Sequence, residues 1–475
     1  ILKGDKLERF VYLDLDKFQL FDKNTLKTYR YKRRFSFMSP DELFRYDFTI
    51  VKSSRRNSRN KPEYTRSFTT SRVLDSLEEY ELEMEYVGPV PVDAERLVKM
   101  IPEYVGAVLC RLQHTENPIS ISRINEVATN YKNLIVGNWV SRIRKRIKML
   151  EGDKKEGHAK EINALNKRLK NYVYESDGRE QLSDRVRLEN TFIGPKPYTL
   201  ELDNFGELAK NSKTIESDYS VTDKADGLRM LMFIDARGDI YYIDNRFHIR
   251  SKSVGTYKAP KELYETVIDG EWVEFRSDGS VLDKFLGFDI YFKGGKPTED
   301  LPLSGKSGRY ETMMDVFHTL EKGLKRKKID IHEHFWYKQF YFTSSSKSIY
   351  ELSETCYNAD RDYNIDGLIF TPMSLPVGVD SVSKDKVPKR YAFNTTSGSW
   401  SKALKWKPLE EQSIDFFVEF ETRDGKPVVL NRTVEIDGVE HTIRYKRMML
   451  YVGANKMDKD LMMKMNPCSE VVGAV

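Results

Sequence analysis

The stretch Val221–Arg229, near the middle of the chain, is the feature that most limits what this sequence can be. It places Lys224 two residues before an Asp-Gly pair, and the apolar run Met230–Ile234 follows at once. Glycine readily adopts the dihedrals of tight turns, so we predict a turn between two strands with the lysine beside it. A lysine amine is nucleophilic only when unprotonated, and its free pKa is about 10.4, so a reactive Lys224 would need a lowered pKa. Alone, however, the pattern is more typical of a surface turn.

Further motifs change that interpretation because they follow in order along the chain. They combine carboxylates at the ends of apolar strands, an aromatic strand, and a strand that alternates lysines on one face. These motifs are Val267–Val273, Phe285–Phe292, Asp366–Phe370 and Ala403–Pro408. Cations and carboxylates gathered around one nucleophile are the groups that phosphate chemistry requires.

This ordered set resembles the covalent nucleotidyltransferase superfamily, which comprises mRNA guanylyltransferases and ATP-dependent polynucleotide ligases. The strand Lys405–Pro408, followed by Ser413–Phe416, is most similar to the mRNA capping enzymes of large cytoplasmic DNA viruses. The resemblance implies that Lys224 attacks the α-phosphate of GTP and forms a lysyl-GMP intermediate. It implies in turn that the 5′-diphosphate end of an RNA accepts the GMP, so GTP and an RNA 5′ end are the expected partners.

The resemblance also implies a role for each residue that matches a family motif. The expected catalytic residues are Lys224, Lys405 and Lys407; the expected nucleotide-binding residues are Arg229, Arg246, Phe288 and Asp226; the expected ligands of Mg²⁺ or Mn²⁺ are Glu271 and Asp366. Phe288 would stack on the purine, Arg229 would hold the ribose hydroxyls, and Asp226 would fix the turn. Taken singly, each has a structural alternative: the aromatic ring could be plain core, and the lysines could form a solvated face.

Two strands near the N-terminus carry opposite charges at alternate positions. The cations are Arg30, Lys32 and Arg34, and the anions are Glu81, Glu83 and Glu85. A row of like charges repels itself unless something compensates it. A closed barrel with a metal on Glu81 and Glu83 and a triphosphate on the cations would do so, as in the tunnel-type RNA triphosphatases that this pair of strands resembles. That family has a second Glu-x-Glu strand upstream, which this sequence lacks, so triphosphatase activity and a solvated charged sheet stay as alternatives.

The patterns together predict an α+β protein with about three domains. The expected domains are a partial triphosphatase-tunnel-like β domain with a helical hairpin (1–190), a ligase-type, ATP-grasp-like nucleotidyltransferase core of antiparallel sheets (191–408), and the start of an OB-fold (409–475). The helical hairpin comprises a helix over Ile121–Val136, a basic helix beginning at Val140, and a charged helix over Ala159–Tyr174. Its basic face could follow RNA phosphates or simply be solvated.

Composition limits where the protein acts. The chain of 475 residues has a net charge of only +5, so any nucleic-acid surface must be local. No apolar run approaches the ~18–20 residues of a membrane span, so we expect no membrane partner. Three scattered cysteines favour a reducing compartment, and the resemblance implies the cytoplasm, in a viral factory or virion. Because the chain begins at Ile1, we expect it to be a fragment of a larger polypeptide. A methyltransferase domain or subunit is a further partner that the sequence neither predicts nor excludes.

Two competing functions remain at this stage. An ATP-dependent RNA or DNA ligase uses the same covalent step, but ligases lack the paired charged strands at the N-terminus. A nucleic-acid-binding scaffold could keep the fold without catalysis, but Lys224, Asp366 and Lys405 are all present in this sequence. The preference for guanine over adenine rests on the resemblance alone.

Overall fold

The computed structural model describes residues 26–57, 61–89, 94–113, 115, 118–152, 158–176, 178–206, 214–251, 257–379, 398–412, 416–436, 439–451 and 471–474. The chain divides into two compact units, residues 1–108 and 109–475. Both helices and antiparallel sheets are present, which confirms the α+β class. The predicted motif residues 413–415 lie outside the described residues.

The N-terminal unit is built on an antiparallel sheet of three strands in the order β1-β2-β3. Its elements are β1 (Arg30–Met38), β2 (Phe44–Ser53), the short helix α1 (Phe68–Ser71), β3 (Glu78–Tyr86) and the start of helix α2 (Ala94–Gln113). The register pairs Arg34 with Thr49 and Thr49 with Glu81, so the two predicted rows of charge lie on one face with the middle strand between them. Within the described residues this sheet stays open, with three strands.

The cations and carboxylates of this face compensate one another. The ion pairs are Arg30–Glu81, Lys32–Glu81, Arg34–Asp47 and Arg34–Glu83. The Lys32 amine lies 3.3 Å from a Glu81 oxygen, and the Arg34 guanidinium lies 2.7 Å from a Glu83 oxygen. Apart from the buried Asp47, these side chains are about a third or more exposed, and exposed pairs contribute little to stability.

The C-terminal unit contains the remaining elements. In chain order they are α3 (Ile121–Gly152), α4 (His158–Tyr172), β4 (Val173–Ser176), β5 (Arg179–Leu182), β6 (Lys196–Thr199), β7 (Tyr219–Ala225), β8 (Leu228–Ile234), β9 (Ile240–Asp244), β10 (Ile249–Arg250), β11 (Thr266–Phe275), β12 (Val281–Lys293), β13 (Lys296–Pro297), α5 (Arg309–Lys325), β14 (Phe335–Tyr337), β15 (Tyr341–Phe342), α6 (Ile349–Tyr357), β16 (Ile365–Pro372), β17 (Ser399–Trp406), β18 (Phe417–Phe420), β19 (Thr422–Arg423), β20 (Lys426–Pro427), β21 (Val429–Ile436), β22 (Val439–Tyr451) and β23 (Val471–Ala474).

A large sheet, in the order β10-β9-β8-β11-β12-β13 with β14 beside β12, forms the centre of this unit. Strand β8 explains why Met230–Ile234 is apolar throughout: both faces of the strand are buried. Met230, Met232 and Ile234 pack in one core with helix α5, whereas Leu231 and Phe233 pack in another with helix α3. Alternate residues of a strand point to opposite faces, so a sheet covered by helices on both sides requires a continuous apolar run.

A second sheet has the order β15-β7-β16-β17-β6. Val221, Leu368 and Leu404 on one of its faces pack with helix α6. The predicted turn after Lys224 joins β7 of this sheet to β8 of the large sheet. The Lys-x-Asp-Gly turn is therefore the connection between the two sheets.

Helix α3 corrects one prediction, because residues 121–152 form a single helix where we expected two. Buried residues continue through the expected break as Val136, Trp139, Val140 and Ile143. Their spacing keeps one stripe against the large sheet, and this packing outweighs the weak helix propensity of Gly137. The helix contributes to the core of the C-terminal unit. The domain boundaries at 190 and 408 stay predictions.

The strands predicted after residue 410 are present. Strand β22 pairs with β18, β21 and β23, and β19 and β20 form a separate hairpin around Asp424 and Gly425. Both turn residues have positive φ, 54° and 72°, as the Asp-Gly pattern indicates. The OB-fold itself stays a prediction.

We expect Gly367→Ala to destabilise the protein by roughly 2 kcal/mol or more. Gly367 has a φ of +144°, and an added Cβ would lie 1.9 Å from the Trp406 carbonyl oxygen, so the β16–β17 contact would have to open. Urea unfolding measures the change. Gly279→Ala is the control, because Gly279 also has positive φ but no atom within 4 Å of an added Cβ. Equal losses in the two variants would mean that the close contact is not what requires glycine.

Candidate active site

A cavity is walled by both sheets of the C-terminal unit. The large sheet contributes Arg229, Glu271, Phe288 and Tyr291, and the second sheet contributes Thr222, Lys224, Ile369, Thr371 and Ala403. Pro195, Pro197, Lys338 and Trp400 are also in its wall. Four predicted site residues, which are Lys224, Arg229, Glu271 and Phe288, therefore share one cavity.

The Lys224 amine is held by the carboxylate of Asp366. Its Nζ donates to Oδ1 at 2.7 Å and to Oδ2 at 2.8 Å, and Lys407 Nζ lies 2.6 Å from the same Oδ2. A register shift between Ile365 and Leu368 turns the β16 carboxylate toward both lysines. The predicted nucleophile, one predicted phosphate-binding lysine and one predicted metal ligand are thus in direct contact.

The electrostatics of this triad favour the ionised carboxylate. Burial raises the pKa of Asp366, but hydrogen bonds from Lys224 and Lys407 outweigh it, so that the pKa lies below its ordinary value. Asp366 is therefore ionised at neutral pH and neutralises part of the lysine charge.

Lys405 lies on the cavity face of the second sheet. It is paired in register with Ile369, and Ala403, two residues earlier, lines the cavity as Ile369 does. Residues paired across strands, and residues two apart along a strand, point to the same face. Among the described residues the Lys405 ammonium has no ion-pair partner, so its charge faces the cavity side uncompensated.

Arg229 is fixed by a carboxylate that the sequence analysis did not select. Its Nε and a terminal nitrogen donate to Asp269 at 3.1 Å and 2.5 Å, and the Tyr291 hydroxyl donates to Asp269 Oδ2 at 2.5 Å. Burial works against the charge of Arg229, but Asp269 raises its pKa above the ordinary value. Gly194 allows this arrangement, because a Cβ there would lie 2.6 Å from the guanidinium. A signal was available: Asp269 stands two residues before Glu271 in the quoted strand.

Phe288 presents its ring to two cations in the cavity. The Arg229 guanidinium carbon lies 5.6 Å and the Lys338 amine 5.7 Å from the ring centroid. The ring is partly buried, so part of it packs against the core and part stays available for stacking. The structural alternative and the stacking role of Phe288 are thus both compatible with its position.

Lys338 is the residue that sequence reasoning missed. Its side chain is 2% exposed, and its amine contacts Glu271 and lies 3.4 Å from Asp223 Oδ2. Burial lowers the pKa of Lys338, yet the attraction of Glu271 and then Asp223 outweighs it and holds the pKa above its ordinary value. The amine is therefore charged inside the cavity. A single cation within the aromatic stretch Phe335–Phe340 was the available signal.

Besides Asp366, Lys405 and Lys407, which are not in the cavity lining, two further predicted residues, Asp226 and Arg246, lie outside it. Asp226 is exposed at the turn, where its backbone N–H donates to the Asn364 carbonyl at 3.0 Å. Arg246 is exposed in the turn between β9 and β10, where its backbone N–H donates to Asp244 at 2.8 Å. Neither side chain belongs to the lining among the described residues. The structure therefore places Asp226 as a turn residue and leaves Arg246 apart from Lys224.

Comparison with known proteins identifies the family. A model of the mRNA capping enzyme catalytic domain matches residues 149–387, about half of the chain. The chain belongs to this family. The family that the ordered motifs predicted is thereby confirmed.

Several capping enzymes are similar to this member of the family. A probable mRNA-capping enzyme of Acanthamoeba polyphaga mimivirus is 24% identical over 460 residues, covering 91% of this chain and 32% of the viral protein. The mRNA-capping enzyme of Danio rerio is 26% identical over 51% of this chain and 37% of the relative. The mRNA-capping enzyme subunit alpha of Candida glabrata is 28% identical over 50% of this chain and 51% of the relative. The chain thus spans about a third to a half of the length of these relatives.

Glu271 and Asp366 are the carboxylates of this capping-enzyme domain that were predicted to hold a divalent metal. Within the described residues, no three His, Cys, Asp or Glu side chains come together as a metal site. Glu271 and Asp366 each engage lysines instead. Mg²⁺ in nucleotide sites commonly takes one or two carboxylates together with phosphate oxygens and waters. Glu271 and Asp366 therefore fit a metal whose other ligands are phosphate oxygens and waters.

No helix in the described part of this capping-enzyme chain is both long and apolar enough to cross a membrane.

The Asp366 triad predicts a pH dependence of stability. Because folding lowers the pKa of Asp366, its ion pairs stabilise the fold above the ordinary value of 3.8 and are lost as the pH falls through the lower folded value. We expect wild type to exceed Asp366→Asn in free energy of unfolding near about pH 6, and the difference to shrink below about pH 4.

Denaturant unfolding at each pH measures this difference. Asp360→Asn is the matched control, since Asp360 is exposed and, within the described residues, has no ion-pair partner. A constant difference between wild type and Asp366→Asn at all pH values would contradict the role of the ion pairs.

Proposed function

We propose that this chain is an mRNA guanylyltransferase. It would form a lysyl-GMP intermediate on Lys224 from GTP and transfer the GMP to the 5′-diphosphate end of RNA. The observation that supports this most directly is the Lys224 amine in a cavity with an aromatic ring, Phe288, the half-buried cation Arg229 and the buried cation Lys338. A nucleotide offers a base to the ring and anionic oxygens to the cations.

In the first step the Lys224 nitrogen bonds to the α-phosphorus of GTP. The bond from that phosphorus to the bridging oxygen of the β-phosphate breaks and pyrophosphate leaves. The lysine nitrogen loses two protons to water, one before it attacks and one as the phosphoramidate forms. Asp366, 2.7 Å from the amine, orients it toward the cavity. Negative charge increases on the transferred group and the leaving group, and the Lys405 and Lys407 ammonium groups stabilise it.

In the second step a terminal oxygen of the RNA 5′-diphosphate bonds to the same phosphorus. The phosphorus–nitrogen bond breaks, the Lys224 amine regains its protons, and the RNA carries a guanylate in a 5′-to-5′ linkage. A divalent ion on Glu271 and Asp366, when bound, would supply charge neutralisation for the phosphates. The same lysines serve in both steps because both pass through similar charge on phosphorus.

Lys338 supports a preference for guanine. It is a charged donor beside the ring of Phe288, where a stacked base would present its edge. Guanine offers the acceptors O6 and N7 on one edge, whereas adenine has an amino donor in place of O6. A buried cation therefore favours guanine, because adenine would place donor against donor.

Labelling tests the covalent step. With α-³²P-GTP and Mg²⁺ or Mn²⁺, wild type is expected to retain label on a denaturing gel, and Lys224→Arg is expected to retain none. Arginine keeps a positive partner for Asp366 but is not nucleophilic at neutral pH. Lys322→Arg, an exposed lysine of α5, is the matched control and should label as wild type does. Label from ATP instead of GTP would favour the ligase, and no label with equal RNA binding by wild type and Lys224→Arg would favour the scaffold.

Base analogues test the role of Lys338. ITP keeps O6 and N7 and is expected to label wild type within a few-fold of GTP. The triphosphate of 2-aminopurine riboside lacks O6, and we expect its kcat/KM for labelling to be lower by about tenfold or more, because the acceptor that would face the Lys338 ammonium is lost. Equal labelling by ITP and the 2-aminopurine nucleotide would contradict recognition at O6.

A triphosphatase role for the N-terminal unit is a second proposal. It is supported by the face on which Arg30, Lys32 and Arg34 meet Glu81 and Glu83, since such a face offers cations to phosphates and carboxylates to a metal. Release of the γ-phosphate from triphosphate-ended RNA, lost in Glu81→Gln, would support it.

We also propose the domain limits 1–190, 191–408 and 409–475, with an OB-fold at the C-terminus, and limited proteolysis followed by mass spectrometry would check these limits.

A further inference from the structure

We call the cavity that contains Lys224 the nucleotide cavity. Two other cavities share part of their walls and form one groove. Their volumes are about 730 Å³ and about 630 Å³, and Val186, Glu189 and Asn190 line both. Helix α3 lines the first cavity from Asn125 to Lys132. We call this feature the α3 groove. Each part has the volume of an ordinary ligand site, so the whole is long enough for an extended ligand.

The lining combines cations with aromatic rings. The cations are Lys132, Arg185 and Arg187, and the rings are Trp139, Tyr172 and Phe192. The Trp139 and Tyr172 ring centroids lie 5.7 Å apart, and the tryptophan is almost fully buried beneath the other ring. Tyr172 and Phe192 are half-buried, so each keeps part of a surface for stacking. Single-stranded nucleic acids bind where aromatic surfaces adjoin cations that follow the backbone.

The cations of the groove are not used within the fold. Arg185 and Arg187 are exposed, and among the described residues neither has an ion-pair partner. Lys132 lies 3.9 Å from Asp184, at the limit of an ion pair. By contrast Arg142, on the same helix, is buried against Glu299 at 2.5 Å and serves the fold. The lining also contains the exposed carboxylates Asp184 and Glu189, so its cations exceed its anions by one, and the two unpaired arginines favour an anionic ligand over an apolar one.

The walls of the α3 groove and of the nucleotide cavity meet at strand β6. Gly398 lines the groove, and its carbonyl accepts a hydrogen bond from the Lys196 N–H at 2.8 Å. The residues on either side of Lys196, Pro195 and Pro197, line the nucleotide cavity. This hydrogen bond therefore joins a residue of the groove wall to the segment that borders the cavity.

We propose that the α3 groove binds the first nucleotides of the acceptor RNA, downstream of its 5′-diphosphate end. This inference rests on the proposed guanylyltransferase function, in which the RNA end must reach the guanylate on Lys224. The arginines contact phosphates, and Tyr172 and Phe192 stack on bases. Stacking and phosphate contacts do not depend on the base sequence of the RNA, which suits an enzyme that modifies many different transcripts.

Fluorescence anisotropy with a labelled 5′-diphosphate oligoribonucleotide, in the absence of GTP, tests the groove. The variant is Arg185→Gln with Arg187→Gln, and the control is Lys322→Gln with Lys327→Gln, which removes the same charge from exposed positions on and after α5. Loss of two phosphate contacts should weaken binding and reduce the slope of log Kd against log salt by about 1.4. An unchanged Kd and slope, or an equal loss in the control, would overturn the proposal.

Transfer of GMP to RNA gives a second readout. For an RNA that spans the groove, we expect the arginine variant to raise KM about tenfold or more with kcat little changed, whereas a 5′-diphosphate dinucleotide should show a much smaller change. An equal rise in KM for both RNAs would contradict RNA binding in the α3 groove. Labelling of Lys224 by GTP alone is measured in the same samples. If wild type takes no label, the guanylyltransferase proposal fails, while the anisotropy result still decides whether the groove binds RNA.

Discussion

The contact of Asp366 with two lysines is the interaction on which the candidate site depends. It joins three strands of the second sheet, since Lys224 is on β7, Asp366 on β16 and Lys407 directly after β17. Nearby cations are one way to lower the pKa of a nucleophilic lysine, and such cations repel one another unless an anion compensates them. The ionised carboxylate meets that need, and the glycine after it, Gly367, allows the strands to approach closely. The architecture of the second sheet and the chemistry of the site therefore follow from the same few residues.

Much of the catalytic half could be predicted from the sequence because its chemistry is local. A Lys-x-Asp-Gly turn needs a small set of residues at fixed spacing, and alternation indicates which residues of a strand share a face. Lys224, Glu271 and Phe288 are indeed in one cavity. The sequence shows the apolar run Met230–Ile234 after the turn, and its burial on both sides is explained only by the structure, in which helices cover each face of the large sheet.

The parts that could not be predicted depend on contacts between distant segments. Lys338 meets Glu271 across 67 positions of sequence, and no local pattern indicates which carboxylate a lone lysine will find. Arg229 and Asp269 pair in the same way across 40 positions. Helix α3 was divided incorrectly because its basic segment hid a buried stripe that only the sheet beneath it reveals. In the N-terminal unit the alternation indicated the strands, but which charges would pair depended on the middle strand between them.

The proposed guanylate on Lys224 would change the net charge of the group formed by Lys224, Asp366 and Lys407. In the free protein it comprises two ammonium groups and one carboxylate. An amine joined to phosphorus no longer bears a positive charge, and the phosphoryl group adds a negative one. The local sum would change from one positive to one negative charge, so these groups would attract a triphosphate in the empty centre and repel it in the loaded one. Loading would in this way discourage renewed entry of the same substrate by the reversed polarity of the centre alone.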